Sequence, residues 1–65
     1  MDLWWDDKGY RSILKYDEYG VGDVVRVFGT TWTARLWGTD SKNQQFETEE
    51  DAKAWLATVY RLEHS

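Results

Sequence analysis

Three features of this sequence could in principle do chemistry: neighbouring carboxylates, a single histidine and a short glycine motif. Asp6-Asp7 and Asp17-Glu18 are adjacent acids, and two carboxylates can divide general-acid and general-base work, as in glycosidases. Both pairs lie in turn-like sequence, however. A chain of 65 residues also has little volume for a cleft of about 300 Å³. His64 is the one histidine. Near the C-terminus and alone, it offers neither a triad base nor a second strong metal ligand. Gly20-Val21-Gly22 lacks the third glycine and the following helix of a phosphate-cradling loop, so it reads as a flexible turn. Cysteine is absent, which rules out disulfides and thiolate metal sites and is compatible with a reducing compartment. The expectation is a non-enzyme without cofactor or metal.

Charge placement is more informative. The chain holds 12 acids and 8 bases, for a net charge of −4. The charges expected inside strands are all basic: Arg11, Lys15, Arg26 and Arg35. The acids fall in turns, in the N-terminal edge and on one helix. Sorting of this kind can give one small body two surfaces of opposite sign, which favours binding over catalysis. A net negative charge argues against indiscriminate attachment to DNA or anionic lipid, yet allows a local basic face. No apolar run approaches the roughly 18 residues of a membrane span. The acidic Met1-Asp2 start carries no signal-peptide pattern. These features point to a cytoplasmic protein without membrane contact, forming one domain over residues 1–65.

The elements that must position these charges follow from period and punctuation. A domain this small buries only about 60% of its unfolded surface. Five Trp, four Tyr and two Phe compensate with large apolar area per residue. Residues 2–5 read as a short strand, and Asp6-Asp7-Lys8-Gly9 as a turn. Tyr10–Tyr16 alternates, as a half-buried strand does. Residues 17–23, with two glycines and three acids, read as a loop. Val24–Phe28 is β-branched and strand-like, Gly29-Thr30 a tight turn, and Thr31–Trp37 a further alternating strand. Residues 38–45 read as irregular. Thr48 is a helix N-cap with Asp51 three residues on. Glu49, Glu50 and Asp51 suit the helix dipole in the first turn, and Arg61 suits it in the last. Ala52, Trp55, Leu56, Val59 and Tyr60 form one apolar stripe. The fold class is α+β: a four-stranded antiparallel sheet with one C-terminal helix across one face (β-β-β-β-α).

The helix can cover one sheet face only. The covered face is expected to take Tyr10, Leu14, Tyr16, Val25, Val27, Trp32, Ala34 and Leu36. The open face then collects Arg11, Ile13, Lys15, Arg26, Phe28, Arg35 and Trp37. Either Trp4 or Trp5 joins it, since neighbours in a strand point oppositely. Arg11, Lys15, Arg26 and Arg35 with interleaved aromatics could stack single-stranded nucleic acid. Equally, their long stems could simply clad a flat sheet. The acids at Asp6, Asp7, Asp17, Glu18 and Asp23 could meet a basic protein surface, with Trp37 as an anchor. A monomer is favoured, and a homodimer through the open face is the alternative assembly.

The segment Phe46-Glu47-Thr48-Glu49-Glu50-Asp51-Ala52-Lys53-Ala54-Trp55-Leu56 resembles a closing pattern of small bacterial and phage proteins. There, a Trp-containing strand, here Trp32-Thr33-Ala34, precedes a Phe-x-Thr cap and an Ala-Lys-Ala-Trp helix. The similarity covers residues 32–60 and signals strand-to-helix closure. In size, acidity and lack of Cys the chain also resembles phage anti-defence proteins, including anti-CRISPR inhibitors, by type rather than by motif. That resemblance implies a stoichiometric inhibitor in the host cytoplasm. Its partner would be a host protein complex, a nuclease or CRISPR effector subunit, whose nucleic-acid-binding surface it blocks.

Overall fold

The computed structural model describes residues 2–38 and 42–63. Asp40, expected in a turn, and the His64 tail lie outside the described residues. Five strands precede one helix: β1 (Leu3–Asp7), β2 (Arg11–Tyr16), β3 (Tyr19–Val27), β4 (Thr31–Leu36), β5 (Lys42–Phe46) and α1 (Glu49–Glu63). The strands form an antiparallel meander in the order β1-β2-β3-β4-β5. The fold is the α+β class expected, with one strand more.

The extra strand is β5. Its Lys-Asn-Gln-Gln-Phe sequence has little intrinsic strand preference, which is why this stretch reads as irregular. Context overrides propensity here. Trp32 to Leu36 of β4 template it residue by residue, from Trp32↔Phe46 to Leu36↔Lys42. Packing of Phe46 on Trp55 (ring centroids 5.8 Å apart) and the Lys42–Glu63 ion pair tie it to the helix.

A second correction concerns residues 17–23. Only Asp17 and Glu18 form the turn, and β3 begins at Tyr19. Asp17 adopts a left-handed backbone (φ 55), which Asp tolerates better than most residues. The two glycines are not loop punctuation but close-approach positions. Lys15 pairs with Gly20 and Leu14 with Gly22, so Val21 is the extra residue of a β-bulge. A Cβ on Gly22 would sit 2.6 Å from the Arg35 carbonyl oxygen and 3.1 Å from a Leu56 methyl.

The bulge fixes which side of β3 faces the helix. Val24, not Val25 or Val27, is buried there, opposite Ala34 and Ser12. Val25 and Val27 lie on the open side. Arg26 moves the other way: it shares the helix side with Val24, opposite Trp32, but is exposed. Tyr10 precedes β2 and is exposed rather than buried. Phe28 is in the β3–β4 turn, off either face. The core is Leu14, Val24, Ala34, Leu36, Ala52, Leu56 and Tyr60, with Leu3, Trp5, Tyr16, Trp32, Trp55 and Val59 packed around it. Trp5 is thus the helix-side tryptophan, and Lys53 lies over its ring. Thr48 Oγ1 accepts the Asp51 amide (3.2 Å), so the cap forms as expected.

Two stability outcomes follow from this packing. Leu56→Ala should lower unfolding free energy by about 2–5 kcal/mol, read from the urea midpoint, because it empties the centre of the helix–sheet contact. Phe28 holds φ 49 while 93% exposed. Replacing it with Asn, which tolerates the left-handed region, should raise stability by on the order of 1 kcal/mol.

Candidate functional site

The uncovered sheet face is organised around one carboxylate. Asp23 lies in β3 between Ile13 of β2 and Arg35 of β4. It is on the open side, yet 0% exposed. A lone buried carboxylate would cost several kcal/mol, so partners must surround it. Arg35 binds it bidentately, with Nε donating to Oδ1 (2.8 Å) and Nη2 to Oδ2 (2.5 Å). Arg11 Nε donates to the same Oδ2 at 3.0 Å. The Trp37 indole Nε1–H donates to Oδ1 at 3.3 Å.

The three partners come from three different places. Arg11 opens β2, Arg35 sits near the end of β4, and Trp37 follows β4 with its amide bonded to the Val21 carbonyl at the bulge (3.0 Å). The Trp37 ring closes over Gly20, where a Cβ would meet ring carbon Cζ3 at 2.8 Å. The Arg11 guanidinium lies 6.0 Å from that ring's centroid, within cation–π range. Burial alone would push the Asp23 carboxyl up. The hydrogen bonds and charge of Arg35, then of Arg11, outweigh it and hold the pKa below the ordinary 3.8. The same hydrogen bond raises Arg35 above its usual value.

A second, looser cluster lies toward β1. Trp4 is on the open face, pairs with Lys15 across the ladder, and has the Lys15 ammonium 5.3 Å from its ring centroid. Its indole donates to the Asp17 carbonyl at 2.6 Å. Lys15 also reaches Asp6 (3.4 Å), as does Lys8 (3.3 Å). Desolvation opposes ionisation of Asp6, but Lys8 and Lys15 together lower its pKa.

The expected acidic surface is therefore dispersed. Asp6 is shared by two lysines. Asp7 accepts the Gly9 amide at 2.8 Å to shape the first turn. Asp17 accepts the Asp2 amide at 3.1 Å at the opposite end of β1. Asp23 is buried. Glu18 is exposed in the β2–β3 turn. The structure does not bring these five acids together. It does bring together Arg11, Arg35 and Trp37, with Lys15 at the far side of Ile13. Arg26 is not part of that group. Sequence reasoning missed Val25, Asn43 and Gln45 on the open face, because the bulge at Val21 reverses the phase of β3 and the Lys42–Phe46 sequence carries little strand signal of its own. A readable signal was available for Asp23: it stands two residues from Val25 and so shares a face with it, directly opposite Arg35 on β4 and diagonal to Arg11 on β2, and opposite charges across a ladder stabilise each other.

Among the described residues, no three His, Cys, Asp or Glu side chains converge as a metal-ligand set. No helix among them is long and apolar enough to cross a membrane. Comparison with family models, with curated proteins and with solved structures found no match.

The Asp23 cluster makes two predictions. Arg35→Ala should cost roughly 2–4 kcal/mol in urea unfolding, since it leaves a buried carboxylate with Arg11 as its one cation, beside the Trp37 indole, while water enters from Arg35's exposed side. The second concerns acid. A carboxyl lowered in the folded state contributes stability above its unfolded pKa, and that stability is lost as pH falls through the folded value. Wild type should therefore lose stability below about pH 4, the unfolded Asp range. Asp23→Asn, less stable at neutral pH, should show a flatter profile in that window. Equal slopes would show that Asp23 is not the linked group.

Proposed function

We propose that this protein is a non-catalytic binding protein that docks on another protein through the open face of its sheet. The observation that supports this most is the character of that face. Trp4 (42% exposed), Ile13, Val25 and Trp37 (40% exposed) alternate with cations that are each already paired to a carboxylate on the same face. Aromatic and arginine side chains dominate protein-binding hot spots. A stacking platform for single-stranded nucleic acid needs free ring faces and unneutralised cations. Here Lys15 lies over Trp4, Arg11 lies over Trp37, and Asp6 and Asp23 offset much of the positive charge. Five strands about 4.8 Å apart and some five residues long give a flat face of roughly 400 Å². This is near half of the roughly 800 Å² per partner of a standard interface, so rim residues must join the contact.

A second reading keeps the acidic inhibitor. Glu47, Glu50 and Asp51 are exposed around the start of α1, and no ion pair engages their side chains among the described residues. They support docking into a basic groove, such as the nucleic-acid channel of a host nuclease or CRISPR surveillance complex, by charge complementarity.

Capture from nuclease-treated bacterial lysate separates the readings, using wild type, Ile13→Lys and the double reversal Glu47→Lys/Glu50→Lys as baits. A protein retained by wild type and the double reversal but lost with Ile13→Lys is the expected result. Loss with the double reversal alone would transfer the function to the acidic end. Retention indifferent to Ile13→Lys sinks the sheet face as the docking surface. Trp fluorescence quenched by a single-stranded oligonucleotide, and relieved by salt, would instead assign the face to nucleic acid.

A further inference from the structure

The arginine pair on the open face has donors left over. Arg11 uses only Nε on Asp23, and Arg35 uses Nε and Nη2. Both terminal nitrogens of Arg11 and Nη1 of Arg35 have no hydrogen-bond partner among the described residues. Both side chains reach solvent, at 37% and 48% exposure, whereas the carboxylate beneath them is at 0%. Because both guanidinium groups bond the same oxygen of Asp23, they are held side by side. Two fixed cations over one anion leave a single positive charge directed outward.

We infer that Arg11 and Arg35 form a preorganised carboxylate receptor, which takes an Asp or Glu side chain of the docking protein. This rests on the sheet-face reading above and names the chemistry at its centre. Guanidinium forks match a carboxylate in shape and charge, and a fork already locked by Asp23 loses little rotamer freedom on binding. The surroundings select a protein carboxylate over a polyphosphate chain. Val25 and Thr33 continue the row from Arg11, Asn43 flanks Arg35 across the β4–β5 ladder, and the Trp37 ring borders the pair. That lining is apolar or uncharged. The single net charge balances one carboxylate, and Lys8 and Lys15 are engaged by Asp6 rather than free to meet a run of phosphates.

The test is a ¹⁵N NMR titration with acetylated hexaglutamate as the probe. It follows the Arg11 and Arg35 Nε–H signals and the Trp37 indole N–H. All three should shift saturably. Arg11→Gln should weaken binding about tenfold, as loss of a charge-assisted contact does, while Arg35 keeps Asp23 paired and the fold intact. Lys53→Gln, the same charge change on the helix side, should leave affinity unchanged. Equal weakening in both variants would reduce the effect to net charge and overturn the receptor. So would hexaglutamate shifts confined to residues outside the pair. Tighter binding of inorganic phosphate or of a thymidine oligonucleotide than of hexaglutamate would also overturn it. If Ile13→Lys abolishes protein capture but hexaglutamate leaves the arginine signals unmoved, the face docks through its apolar centre and only the receptor falls.

Discussion

One buried carboxylate sets the terms for half of this molecule. Asp23 has no exposure of its own, so every electron pair it presents must be answered from within the sheet. Arg35 answers from β4, Arg11 from β2, and Trp37 from the segment after β4. The desolvation cost of such a group is of the same order as the whole stability of a small domain. The pairing is therefore a constraint rather than an ornament. A register slip in β2 or β4 would move an arginine to the opposite face and strand the charge. Asp23 thus helps specify how β2, β3 and β4 align, over and above what the helix-side core requires.

The glycines make this arrangement possible. At Gly22 the β4 backbone and the Leu56 side chain come too near for any Cβ, so the helix can settle close to the sheet. At Gly20 the same lack of side chain admits the Trp37 ring on the other face. One bulged segment therefore serves both sides, bringing α1 down on one and Trp37 down on the other. The bulge at Val21 also resets the alternation of β3. That places Val24 under the helix and Asp23 among the arginines. Had the strand run without the extra residue, the polarity of its central section would have been inverted.

Much of the fold was legible because its strongest signals are local. Thr48, the three acids after it and the stripe from Ala52 to Tyr60 define α1 without reference to anything else. The alternation in Tyr10–Tyr16 and Thr31–Trp37 assigns β2 and β4 and the faces of most of their residues. The errors arise where structure is decided at a distance. The β5 sequence forms a strand because β4 offers a free edge and Trp55 offers a surface for Phe46, and neither is visible within Lys42–Phe46 itself. Asp17–Asp23 carries the composition of a loop, since Gly and Asp are turn residues in isolation. Their actual uses, close approach and a buried ion pair, exist only once neighbouring strands are in place. The Arg26 side chain illustrates the same limit. A cation in a β-branched run suggests solvent, and it is exposed, but on the helix side of the sheet.

The charge sorting expected from the linear pattern does not hold in the folded molecule, because Asp6 and Asp7 lie in β1 and Asp23 in β3 rather than in turns. The open face holds Arg11, Lys15 and Arg35 against Asp6 and Asp23, so it is close to neutral rather than broadly basic. Glu47, Glu50 and Asp51 gather around the start of the helix, where the dipole stabilises negative charge. The two populations do different physical work. Acids near the helix start set a long-range field that repels polyanions and speeds encounter with basic surfaces. The paired charges on the sheet act at contact distance, where desolvation makes geometry decisive. A chain with both would be steered by one surface and held by the other. The held surface is the one with fixed donors and half-exposed tryptophans, which is why the sheet face, rather than the acids, is the stronger place to look for specificity.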